Sequence, residues 1–102
     1  MSIKCYGTTD IGSKRVENQD CFGIYTIAGA TLCVVCDGMG GARGGREASQ
    51  SACDVIERCF QEHYNKCLPG EEELFLKRTL VSANRFVFQK ALREEELAGM
   101  GT

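Results

Sequence analysis

Hydrophobic and polar positions change rhythm twice along this chain. Two short β-rich runs, Cys21 to Ala28 (CFGIYTIA) and Ala30 to Cys36 (ATLCVVC), flank Gly29. Runs of that length on either side of a glycine predict a tight antiparallel hairpin. The second run is continuously apolar, which predicts a strand covered on both faces. Farther on the spacing becomes helical. Ala48, Ala52, Val55, Ile56, Cys59 and Phe60 share one face, while Glu47, Gln50, Ser51, Asp54, Glu57, Arg58 and Glu62 share the other. That pattern predicts an amphipathic helix from Arg46 to about Tyr64.

Leu68-Pro69-Gly70 breaks the chain, and Glu71-Glu72-Glu73 follow, where negative charge favours a helix N-terminus. A second helix is expected from about Glu72 to Leu97, with Leu76, Leu80, Val81, Ala83, Val87, Phe88, Ala91 and Leu92 as a wide apolar face. Asn84 falls inside that face and is expected to be a buried, hydrogen-bonded amide. Glu94-Glu95-Glu96 oppose the dipole of the helix end and read as a solvated face. Before the hairpin, Ile3 to Thr9 alternates weakly and predicts a first strand. The polar segment Thr8 to Gln19 has no period and predicts a loop carrying Arg15.

Composition narrows the class. A chain of 102 residues suits one small domain. The net charge of −2 and the mixed signs leave no basic stripe for nucleic acid and no polybasic membrane patch. No apolar run approaches the roughly 20 residues of a membrane span, and Met1-Ser2-Ile3-Lys4 opens onto no signal-peptide core. The cysteines number seven, an odd count, and most sit among apolar residues, so they read as buried, reduced thiols of a cytoplasmic protein. Cys33-x-x-Cys36 could be half a zinc site or a redox pair. On a strand, however, residues three apart point to opposite faces, and neither a second CxxC nor a second histidine exists to complete a site. His63, at the margin of the first helix's apolar face, reads as a boundary residue rather than a ligand.

Candidate chemistry gathers at Val34-Val35-Cys36-Asp37-Gly38-Met39-Gly40-Gly41, an apolar run ending on a carboxylate and glycines. If the hairpin turns at Ala28-Gly29-Ala30, paired residue numbers sum to about 58, setting Cys21 opposite Asp37 and Asp20 opposite Gly38. Two carboxylates then meet at the open end. Ionised aspartates roughly 5 Å apart repel unless a cation or a shared proton relieves them. Oxygen ligands beside glycine carbonyls suit a hard ion such as magnesium or manganese. The plainer reading is that each aspartate caps a strand end. The pairing, the glycines and the lone Arg15 favour the metal.

Other glycine-loop and nucleophile chemistries fail on the residues. A P-loop needs GxxxxGK followed by Ser or Thr, but Gly40 to Gly45 is followed by Arg46 and Glu47. GxGxxG starts at Gly38 and Gly40 but meets Arg43 where its third glycine belongs. No cysteine has an arginine six positions later to cradle a phosphoryl group, and no serine lies in a GxSxG elbow.

RVENQD at 15–20, VCDGMGG at 35–41, GGREAS at 44–49 and GMGT at 99–102 together resemble the N-terminal part of the metal-dependent protein serine/threonine phosphatases, the PPM or type 2C family, in its bacterial form. The resemblance spans essentially the whole chain. It implies an α+β fold of the α/β type, a fragment of a four-layer α-β-β-α sandwich with antiparallel sheets. It also implies hydrolysis of phosphoserine and phosphothreonine in proteins, in opposition to a serine/threonine kinase.

Carried over residue by residue, Asp20 and Asp37 resemble metal ligands, Asp37 in the position that bridges two Mg²⁺ or Mn²⁺ ions. Gly38 resembles the residue whose carbonyl ligates one ion, and Arg15 the phosphate-binding arginine. Catalysis is then expected from Asp37, Asp20 and Arg15, with metal-activated water as nucleophile. Gln19 and Met39 stand where animal members have Glu and a His proposed as general acid, and both resemble the bacterial branch. Family domains are more than twice as long and their further metal-binding aspartates come later. Residues 1–102 are therefore expected to be the N-terminal portion of one phosphatase domain, weak or inactive alone, with exposed sheet edges and helix faces. A non-catalytic interaction module that assembles with itself or a partner is the alternative.

Overall fold

The computed structural model describes residues 6–7, 19–27 and 29–102, with Ala42 by its backbone alone. The expected first strand falls outside the described residues except for Tyr6 and Gly7, which belong to no regular element. The expected loop, with Arg15, falls outside them except for Gln19.

The β-rich runs form the hairpin, with β1 at Asp20–Ile27 and β2 at Ala30–Asp37. Its register differs by one from the expectation. Gly29 turns at a φ of 80°, Ala30 is already paired with Ile27, and Asp20 stands opposite Asp37. A connection one residue shorter shifts every partner by one. Thr26 and Thr31 share a rung beside the turn, their hydroxyl oxygens 3.2 Å apart.

α1 runs Gly41–His63 and α2 runs Glu72–Arg93, joined through a 3₁₀ turn at Tyr64–Lys66. A second 3₁₀ turn, Glu95–Leu97, follows α2. α1 thus starts five residues before Arg46, so the glycine-rich stretch ahead of the expected helix forms its first turns. α2 stops short of Leu97, which instead lies fully buried at the end of the 3₁₀ turn.

α1 is the centre of the molecule, packed on one face of the hairpin and along α2. Ala48, Ala52, Cys53 and Ile56 meet Cys36 from β2 and Ala83 and Val87 from α2, and Leu97 and Met100 close one end. Ser51, expected on the polar face of α1, is buried. At the opposite end Tyr64 bridges the helices, its ring centroid 5.0 Å from that of Phe60 and 5.5 Å from that of Phe75. Lys90 on α2 donates to the Glu47 carboxylate on α1, a half-buried ion pair. The lysine's hydrogen bond, helped by its charge, holds the Glu47 carboxyl below its usual range.

Two coverings expected from the sequence are absent among the described residues. β2 alternates between half-buried or buried and exposed positions, Val35 being 78% exposed, because α1 packs on one face of the hairpin only. On α2 just Thr79, Ala83 and Val87 are buried. Leu80, Val81, Phe88 and Leu92 belong to the expected apolar face but are exposed, and so is Asn84, expected to be buried. One hairpin layer and one helix layer make an antiparallel α+β arrangement. No second sheet of a four-layer sandwich lies among the described residues. No described helix is long and apolar enough to cross a membrane.

Candidate functional site

Asp20 is the first residue of β1 and Asp37 the last of β2, and the antiparallel register makes them direct partners. Direct partners have their Cα atoms about 4.5–5.5 Å apart and their side chains on the same face, so both carboxylates project together from the open end of the hairpin. Both residues are exposed. The two acids are therefore closer in register than the sequence implied, with each other rather than with Gly38 and Cys21 as partners.

The ladder continues one residue further. The Gly38 amide donates to the Gln19 carbonyl at 3.0 Å, which holds the aspartate rung between a hydrogen-bonded pair and the rest of the hairpin. Gly38 is buried, and a Cβ there would lie 1.8 Å from the Gly45 carbonyl oxygen in α1. Only a glycine lets the end of β2 sit this close to a helix backbone. Gln19 reaches over the same joint, its side-chain amide donating to the Gly41 carbonyl at 2.5 Å. Met39 then exchanges backbone hydrogen bonds with Gly101, at 2.8 and 2.9 Å. The segments 19–20, 37–41, 44–45 and 100–101, distant in sequence, thus converge on one place.

Beneath the aspartate rung lies a rung of thiols, Cys21 opposite Cys36. The buried Cys53 thiol of α1 donates to the Cys36 sulfur at 3.5 Å. Burial pushes both the Cys36 and Cys53 thiols up from their usual range, so neither is a thiolate at neutral pH. Cys33 is exposed on the face opposite Cys36, as strand geometry requires, so the CxxC spacing builds no site. His63 ends α1 and is exposed, remote from the aspartates in the chain path.

The chain as a whole matches known proteins. The profile of the family described as protein phosphatase 2C matches residues 7–100. The chain belongs to the protein phosphatase 2C family. Over 95 residues it is 49% identical to "Protein phosphatase PhpP" of Streptococcus pneumoniae and 33% identical to "Serine/threonine phosphatase stp" of Listeria monocytogenes. It is also 33% identical over 96 residues to "Putative protein phosphatase 2C-type" of Streptococcus pyogenes. Each match takes in 92% of this chain but 38% of the relative, so the chain spans well under half the length of the curated relatives it matches.

Protein phosphatase 2C enzymes are generally metal-dependent, and the donors here suit that only in kind. Two carboxylates and a neighbouring backbone carbonyl are all hard oxygen donors, the class magnesium and manganese prefer. In number they fall short of the roughly six oxygens a hard ion takes. Among the described residues no group of three His, Cys, Asp or Glu side chains is placed to hold a metal ion. Arg15, the expected phosphate ligand, lies outside the described residues.

Gln19 and Gly45 are the contributors that sequence reasoning missed. Gly45 had a readable signal. Gly41, Gly45, Ser49 and Ala52 place small residues along one side of α1, the mark of a helix face pressed against backbone.

Proposed function

We propose that residues 1–102 are the first portion of a phosphatase domain of the 2C family that hydrolyses phosphoserine and phosphothreonine in proteins. The observation that carries this reading is the Asp20–Asp37 rung within the matched family region. The substrates are phosphoproteins, opposed by a serine/threonine kinase, and the compartment is the cytoplasm, in keeping with reduced cysteines.

Asp20, Asp37 and the Gly38 carbonyl would hold the magnesium or manganese ions, two in the complete domain. When bound, such ions supply Lewis acidity and a water of lowered pKa. The chain's own residues do the positioning. Paired carboxylates on a rigid rung offer a concentrated negative charge, and the Gly38–Gln19 hydrogen bond keeps that rung from fraying. Arg15 would hold two phosphate oxygens at once, orienting the ester and neutralising its charge. Met39, 62% exposed, carries a thioether with no proton to give, so protonation of the leaving alkoxide falls to a group other than this side chain.

Manganese-dependent hydrolysis of a phosphopeptide by the full-length parent should collapse on Asp37→Asn, and full activity in that variant would overturn the assignment. A parent-like rate from residues 1–102 alone would instead overturn the reading of this chain as a partial site.

A second reading, an assembly module, is favoured by one observation: Val35, Phe88 and Leu92 are 78%, 62% and 72% exposed. Apolar surface of this extent favours self-association. Light scattering decides it, since a stable monomer at high concentration counts against assembly.

A further inference from the structure

Cys36 and Cys53 are used by neither reading above, yet among the described residues their thiols are hydrogen-bonded to each other, with Cys21 beside them as a third. Cys36 lies at the end of β2, next to Asp37, and Cys53 lies in the middle of α1. Their sulfurs are 3.5 Å apart, and the residues are 7% and 2% exposed. Cys36 also lines a cavity of about 370 Å³ between β2, α1 and α2, bordered by Val34, Asp37, Ile56, Leu80 and Asn84. A small oxidant entering that cavity meets Cys36 first and finds Cys53 behind it.

We propose that Cys36 and Cys53 form a reversible disulfide under peroxide, stapling the aspartate-bearing end of the hairpin to α1. In the first step the Cys36 sulfur attacks one peroxide oxygen. The O–O bond breaks, and the departing hydroxide takes the thiol proton as water, leaving a sulfenic acid. The Cys53 sulfur then attacks the Cys36 sulfur. The S–O bond breaks, and hydroxide leaves with the Cys53 proton as a second water. The two thiols lose two electrons, which reduce one hydrogen peroxide to two waters. Both thiols are buried and protonated, so the reaction calls for sustained exposure to peroxide. A reductant restores the pair by thiol exchange.

The competing pairs are less well placed. Cys33 points to the other face of the sheet and is exposed. Cys59 and Cys67 lie toward the far end of α1 and in the connection beyond it. Cys21 is the nearest alternative, across the rung from Cys36 and itself interacting with the Cys53 thiol, but its own thiol donates toward the Gln50 side-chain oxygen at 3.7 Å. Any consequence for the aspartate rung rests on the metal-binding reading, whereas the bond itself does not.

Tryptic mapping tests the bond independently of metal or activity. Cleavage after Arg46 and Arg58 isolates Cys53 as the single cysteine of one peptide, and cleavage after Arg15 and Arg43 places Cys36 with Cys21 and Cys33 on another. After peroxide treatment and alkylation of the remaining thiols, these two peptides should run linked without reductant. The chain should be lighter by two hydrogens, about 2 Da. Fragmentation of the linked species should locate the bond at Cys36. Cys36→Ser should abolish the link, while Cys21→Ser and Cys33→Ser keep it. A bond located at Cys21 or Cys33, or oxidation to sulfinic acid with no linked peptide, would overturn the proposal.

Discussion

Gly38 and Gly45 are in van der Waals contact through backbone alone: a methyl group on the first would sit 1.8 Å from the carbonyl oxygen of the second. The strand carrying Asp37 and the helix that follows are thereby joined with no side chain between them. Gly38→Ala forces one backbone to move and should cost about 3 kcal/mol, the upper end of ordinary overpacking. Gly45→Ala meets the Gln19 side chain at 2.6 Å, which can swing aside, and should cost about 1 kcal/mol. Urea denaturation of the two variants checks the order, and equal costs would show that the strand end is not held by this contact.

Asp37→Asn removes one of two like charges facing each other on a rung. Such pairs destabilise by roughly 0.2–1 kcal/mol, so in chelator the variant should melt slightly higher than the parent chain. In manganese the order should reverse if the rung is a metal site, because the ion stabilises the native state that binds it. A melting series with and without manganese reads both effects, and a variant still stabilised as strongly as the parent would remove Asp37 from the ligand set.

The Glu47–Lys90 pair predicts an acid-side dependence. The folded Glu47 carboxyl titrates below its reference value of 4.5, so the unfolded chain binds the extra proton first as pH falls. Its contribution is fully present above that value and is lost as pH drops through the lower folded pKa. With partial exposure of both partners, about 0.5–1 kcal/mol is at stake. Lys90→Met should flatten this part of the stability curve measured between pH 5 and about 3.

Tyr25 predicts the opposite flank. Burial, then the charge of Glu57, raises its phenol to about 12, so above pH 10 the unfolded chain loses a proton that the folded chain keeps. Stability should therefore fall as pH rises from 10 towards 12. A spectrophotometric titration should show a late phenolate phase, and Tyr25→Phe should remove it.

Much of this was legible because local rules dominated it. Gly29 between two β-rich runs marks the hairpin, and Leu68-Pro69-Gly70 before three glutamates marks the start of α2. The register was not, since it depends on whether Ala30 belongs to the turn or to the strand, a difference no residue type announces. Gly41, Gly44 and Gly45 read as a loop because glycine disfavours helices. Gly44 and Gly45 lie against Met100 and Gln19, which crowd any side chain there, and contacts between segments that far apart leave no local pattern. Asn84 was placed in the core because the period of α2 was read correctly but the width of its covered stripe was not: only Thr79, Ala83 and Val87 of α2 are buried. Of the candidate site, the presence of paired acids was readable, and their direct partnership needed the register.

The reciprocal hydrogen bonds between Met39 and Gly101 bring the chain back to the point from which it left the sheet. Everything between them, both helices included, is an excursion with a common doorway. Such a detour can be lengthened, shortened or exchanged at its far end, near Leu68 and Pro69, without disturbing the carboxylates at the door. Variation in the helical arm and constancy at the acids are thus compatible within one chain, and a library of insertions there should leave the hairpin's register intact.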